Sequence, residues 1–255
     1  MIRATATIAR YALLESARGA LPWLALAGLA LSLALSAFLS EVAITEANAL
    51  RVSAGAAFLR VCVMFLVCAQ VVSSVVRESN DKGLELVLAL PISRPVWYLG
   101  KLAGFAAMAA AIATALALPL LWSAPATHWL GWWLALAGEA VLMAAAALFF
   151  ATALGQTVAA IAACAGLYVL ARSIGAIQAI ASSPLVAEGS VPGAARGLAD
   201  VIALLLPRLD AVARGDWLLY GPPSGAEFAR MLAGLAIYAV LLAAAGLFDA
   251  SRRNL

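Results

Sequence analysis

Apolar residues run along this chain in blocks far longer than a strand or the stripe of a soluble helix, and each block ends at charges or at Pro and Gly clusters. A helix needs about 20 mostly apolar residues to cross a bilayer. Residues Gly19 to Ser40 carry no charge and form a first span. Sixteen uncharged residues between Arg60 and Arg77 make a second, over 54–76, with Arg60 inside it. From Leu102 to Ala171 the chain holds one charge, Glu139, in seventy residues, a length that fits three helices and two turns. The cluster Pro119, Ser123, Pro125, Thr127, His128 makes one cut and Gly155-Gln156-Thr157 the other, giving spans over 101–122, 129–155 and 157–181. A sixth runs over 226–248. The pattern predicts an all-α polytopic membrane protein, one six-helix transmembrane domain over 1–255.

Composition sharpens this. The chain is 65% apolar and 11% charged, against about 45–50% and ~25% in soluble domains. A soluble enzyme, a disordered chain and a disulfide scaffold are excluded, the last because all three cysteines lie in apolar runs. The net charge of +3 and pI of 9.0 do not point to nucleic acid, since the basic residues are scattered singly. They read instead as topology. With the N-terminus inside, Arg3, Arg10, Arg18, Arg77, Lys82, Arg94, Lys101, Arg252 and Arg253 face the cytoplasm, nine of the sixteen basic residues. Both termini are expected there, and Trp122, Trp129, Trp132 and Trp133 are expected to belt the outer turn. Residues 1–18 place Arg3, Thr7 and Arg10 on one face with Ile2, Ala6, Ala9 and Leu13 beside it, an amphipathic helix for the inner surface or else a frayed tail. Three arginines and Glu15 precede the first apolar run, so no cleavable leader is expected.

The densest charge lies between the second and third spans. Asn80 or Asp81 can cap a short helix, Leu84, Val87 and Leu88 share one face of it, and Pro91 stops it. Ser93 then opens the next helix, with Pro95 in its first turn. An apolar stripe rimmed by charge suits docking into a groove on a soluble partner; the other reading is an ordinary positive-inside connector. The run Arg77-Glu78…Gly83-Leu84-Glu85-Leu86-Val87-Leu88-Ala89-Leu90-Pro91-Ile92-Ser93-Arg94…Tyr98-Leu99-Gly100-Lys101 resembles the coupling-helix region of ABC-2 type permeases, the membrane subunits of ATP-driven exporters. Leu204-Leu205-Leu206-Pro207-Arg208-Leu209-Asp210 and Asp216-Trp217-Leu218-Leu219-Tyr220-Gly221 are similar to the outer segment of the branch linked to multicopper-enzyme maturation and nitrous-oxide-reductase accessory permeases. The resemblance implies an inner-membrane permease whose cytoplasmic coupling helix, with Glu78, Gly83, Leu84, Glu85, Val87, Leu88 and Pro91, contacts an ATPase subunit. ATP and Mg would then sit on that partner, present in two copies, because no G-x-x-x-x-G-K-[ST] occurs in this chain. A second permease copy, identical or paralogous, is also implied.

Other chemistries lack their residues. The only histidine is His128, so neither H-E-x-x-H nor a second Ser–His pairing exists, and aspartyl chemistry needs two carboxylates at membrane depth where only Glu139 stands. The chain is expected to be non-catalytic, with no cofactor or metal of its own and with Cys62, Cys68 and Cys164 as apolar fillers. The alternatives are a membrane scaffold for enzyme maturation, without transport, and then a secondary transporter, which Glu139 keeps open although the repeats and matched broken helices it would show are not visible. At about 1.5 Å per residue, Arg60, Glu139 and Arg172 fall at similar depth, and Glu139 is expected to pair with Arg172 or Arg60 as a clamp, or else to serve as a cargo or proton site. The periplasmic segment 182–225 is expected as loop with short helices, its stretch Leu198 to Leu206 apolar enough to lie as a re-entrant or interfacial helix ended by Pro207; it gates the exit, docks an outer partner, or simply connects. Membrane lipids surround the whole.

Overall fold

The computed structural model describes residues 2–42, 46–80, 93–181, 197, 200–203 and 206–252. Among these there is no strand. Helix α1 covers Ile2–Arg18, α2 Leu21–Val42, α3 Ala47–Asn80, α4 Arg94–Ala117, α5 Ala126–Leu154 and α6 Thr157–Ala181. A four-residue α7 (Trp217–Tyr220) and a long α8 (Gly225–Arg252) complete the order. Six of these, α2 to α6 and α8, are long and apolar enough to cross a membrane.

The ends follow local chemistry. Ser93 is extended and precedes α4, whose first turn takes Pro95 without losing a hydrogen bond. Pro119 converts the end of α4 into a 3-10 turn, Leu118–Trp122. Gly155 ends α5 in the left-handed region at φ 64° and donates its N–H to the Ala151 carbonyl, the conformation that glycine adopts without a Cβ clash. The helices outrun the apolar stretches: α3 reaches Asn80 and α4 begins at Arg94, because nothing in the charged ends breaks a helix.

Helix α5 forms the axis, touching α3, α4, α6 and α8. Its middle, Ala144 to Leu148, is wholly enclosed, and small side chains there let neighbouring backbones approach. By contrast α2 keeps Trp23, Leu24, Leu31 and Phe38 on the outside. The tryptophans do more than belt the surface. Trp122 is 94% exposed, yet Trp129 and Trp132 are buried. Trp129 Nε1 donates to the Ala117 carbonyl at 2.8 Å and Trp133 Nε1 to Thr114 Oγ1 at 2.9 Å, partnering polar groups around the end of α4.

Helix α1 lies on α4 with a face that shares Ala9 and Leu13 with the one expected but is rotated from it. Ile8, Ala9, Ala12 and Ser16 turn inward, whereas Ala6 is exposed with Arg3 and Arg10. The reason is the Gly100-x-x-x-Gly104 step on α4. A Cβ at Gly104 would meet the Ala9 carbonyl at 2.7 Å and the Ala12 Cβ at 2.8 Å, and one at Gly100 would meet the Ile8 Cβ at 2.8 Å. The two backbones touch where only glycine fits, so the register of α1 is set by α4. Gly104→Val should therefore lever α1 away and lower the stability of the purified chain by about 1–3 kcal/mol, read as a fall in melting temperature in detergent; Gly166→Val, where a Cβ meets nothing within 4 Å, should leave it nearly unchanged.

Candidate functional site

Two polar clusters stand out against this apolar bundle. The first lies at the roots of the charged loop. Of the residues expected to form the coupling surface, Glu78 is described, while Gly83, Leu84, Glu85, Val87, Leu88 and Pro91 lie outside the described residues. Glu78 Oε2 sits 2.5 Å from Lys101 Nζ, with both side chains largely withdrawn from solvent, and Trp97 Nε1 donates to Glu78 Oε1 at 3.4 Å. Lys101 also lies over the Phe105 ring, 5.7 Å from its centre. The end of α3 is thereby tied to the start of α4. On the other side Glu15 of α1 accepts from Arg77 at 2.5 Å and from the Ser74 hydroxyl at 3.1 Å. Three helices thus meet at the loop's base.

Glu15, Trp97 and Lys101 were not legible as anchors. Lys101 reads in sequence as one more positive residue at a span end, and Glu15 as a stray acid among arginines. The burial of Trp97 and Lys101 is the informative fact, because a lysine withdrawn from water is retained only when its charge is paired.

The second cluster lies inside the bundle, where α3, α5 and α6 bring Arg60, Glu139 and Arg172 together. Arg172 Nη1 stands 3.6 Å from Glu139 Oε1, and the carboxylate is fully buried. Arg60 makes no direct ion pair among the described residues, though both guanidiniums act electrostatically on Glu139. Their hydrogen bonds go elsewhere. Arg172 Nη1 donates to the carbonyls of Leu209 and, at 2.9 Å, Val212. Arg60 Nη1 donates to the Ala213 carbonyl at 2.7 Å, which Trp132 Nε1 also reaches at 3.1 Å. Two positive charges and one negative charge leave an imbalance, and three backbone carbonyls supply the missing negative potential. Tyr168 of α6 adjoins Glu139 and both guanidiniums and completes the cluster.

The acceptors belong to the segment read in sequence as a loop outside the membrane. Residues 206–222 pack against the bundle: Leu209, Val212, Ala213, Trp217 and Leu218 are buried, while Arg208, Arg214 and Tyr220 stay exposed. Small residues on the bundle receive it. A Cβ at Gly175 of α6 would overlap the Asp210 carboxylate, one at Gly131 of α5 would meet Pro222 at 2.8 Å, and Gly215 itself lies against the Ser53 carbonyl of α3. Of the apolar stretch expected at 198–206, residues 200–203 are helical and Leu206 still donates to the Ile202 carbonyl before Pro207 intervenes. His128 sits against Gly221 at the same end.

The cysteines are free, and Cys68 of α3 and Cys164 of α6 are buried in the core. Among the described residues no group of three or more His, Cys, Asp or Glu is placed to hold a metal.

This geometry separates two roles for Arg172. Glu139→Gln removes the carboxylate charge and should cost about 1–3 kcal/mol, seen as a lower melting temperature. Exchanging the two residues, Glu139→Arg with Arg172→Glu, should not recover that loss, because a carboxylate at 172 would face the Leu209 and Val212 carbonyls; full recovery would mean the ion pair alone matters. No protein-family model matches the chain and a search of curated proteins returns no match, so its functional reading rests on this geometry and on the sequence pattern.

Proposed function

We propose that the chain is the permease subunit of an ATP-driven exporter of the ABC-2 type, set in the bacterial inner membrane with both termini cytoplasmic. Its partners on this reading are two copies of a cytoplasmic ATPase subunit and a second permease chain, identical or paralogous. ATP and Mg are bound by the ATPase; this chain performs no catalysis and converts closure of the ATPase pair into movement of its spans. Helix α1 lies on the inner membrane surface, and the cytoplasmic segment 77–100 carries the coupling helix at Leu84 to Leu90.

The observation that carries the reading is the construction of that loop's roots. A segment that transmits force must be fixed at both ends, whereas a connector need only be long enough. Here a withdrawn Glu78–Lys101 pair at 2.5 Å joins α3 to α4, and Glu15 of α1 grips α3 within one turn of the same point. A push on the loop would reach three helices together. The apolar Leu84, Val87 and Leu88 stripe supplies the surface to be pushed.

The test is to purify the tagged chain from its own membranes and identify what accompanies it. A polypeptide containing G-x-x-x-x-G-K-[ST] should co-purify at one copy per permease chain. Leu88→Asp should remove it, since losing a buried anchor costs about 2 kcal/mol or more, without changing the melting temperature of the permease. Retention of that ATPase at the normal ratio by Leu88→Asp contradicts the proposed contact.

A further inference from the structure

A cavity of about 730 Å³ opens between the 206–213 segment and α8, within the ~300–1,000 Å³ of sites that hold small ligands. Leu206 and Val212 form one wall, and Met231 and Leu235 of α8 the other. Arg208, Glu227 and Arg230 also line it and are themselves exposed, which puts the charge at the mouth and the apolar surface within. Arg208 is partly engaged by Asp210 at 3.5 Å. Arg230 donates only to the Ala226 carbonyl of its own helix and has no ion pair among the described residues. Two cations and one acid therefore line the mouth, and Asp210 behind Arg208 offsets part of its charge, so both signs are presented. Such a mouth complements a head that carries a phosphate and an ammonium together better than a purely anionic one.

The apolar surface continues past the cavity. Residues 227, 230, 234, 238 and 241 fall on one stripe of α8 by helical spacing, and Ile237 and Leu241 next along it are 59% and 58% exposed. We infer that this cavity is a phospholipid site selective for an amine-bearing zwitterionic head, with phosphate between Arg208 and Arg230, ammonium at Glu227, and one acyl chain running down α8. The inference is independent of the ATPase reading: it concerns the flank of the bundle and holds whether or not the chain has a motor. Its consequence for the fold is direct. The bound lipid lies against Val212, whose carbonyl accepts from Arg172, so lipid and arginine both act on one segment.

The full chain is reconstituted in phosphatidylcholine nanodiscs with a trace of phosphatidylethanolamine, phosphatidylglycerol or phosphatidylcholine, each carrying the same photoactivatable acyl chain. Phosphatidylethanolamine should label peptides spanning 206–212 and 227–241 about tenfold more than either of the others. Gly234→Phe should abolish that labelling, because a Cβ at Gly234 meets nothing within 4 Å and the ring would fill the cavity. Glu227→Gln should reduce labelling to the phosphatidylcholine level with an unchanged melting temperature. Equal labelling by all three lipids, preference for phosphatidylglycerol, or labelling unaffected by either substitution overturns the proposal. Should Gly234→Phe lose its fold, the Glu227→Gln comparison alone decides.

Discussion

A guanidinium taken out of water costs several kcal/mol unless its donors and its charge are both answered, and this bundle encloses two, Arg60 and Arg172, beside the single carboxylate of Glu139. One carboxylate cannot serve both. The carbonyls of Leu209, Val212 and Ala213 complete the set, and that requirement draws a segment from between α6 and α8 into the bundle. Other features follow from its arrival. Gly131 and Gly175 make room for it, Gly215 lets it approach α3, and Trp132 turns its indole N–H inward to the same Ala213 carbonyl. The path of the chain between the fifth and sixth spans is thus held by these hydrogen bonds together with the burial of Leu209, Val212, Trp217 and Leu218.

At the opposite end the same logic acts through side chains alone. Lys101 and Glu15 sit where α1, α3 and α4 converge, each paired to a residue at the end of α3. The glycine step on α4 sets α1 at contact distance. A rigid base under the charged loop and a charge-locked segment at the far end are joined through α3, which carries Arg77 and Glu78 at one end and Arg60 toward the other. On the proposed function, motion entering at the loop travels along a helix whose two ends are both pinned.

The six spans were legible because apolar run length is nearly sufficient to define a membrane helix, and the breakers at Pro119 to His128 and Gly155 to Thr157 mark the turns directly. Arg60, Glu139 and Arg172 were legible as the few charges stranded within those runs. Their hydrogen-bond partners were not, since a backbone carbonyl has no signature in sequence, and a segment with Pro207, Pro222, Pro223 and several charges reads as external. The inward face of α1 was legible in part, at Ala9 and Leu13; its rotation about the helix axis is set by Gly100 and Gly104 on another helix. The stripe of Leu84, Val87 and Leu88 lies outside the described residues and stands on sequence alone.

Whether the 206–222 segment is part of the bundle or a loop lying over it can be read from the accessibility of two positions. In a chain with Cys62, Cys68 and Cys164 replaced by Ala, single cysteines are placed at Ala213, which is fully buried, and at Tyr220, which is 82% exposed. Both are treated with a membrane-impermeant maleimide in intact vesicles of each orientation. The account predicts rapid labelling at 220 and almost none at 213 in the orientation that exposes this end. Equal rates at the two positions would contradict it.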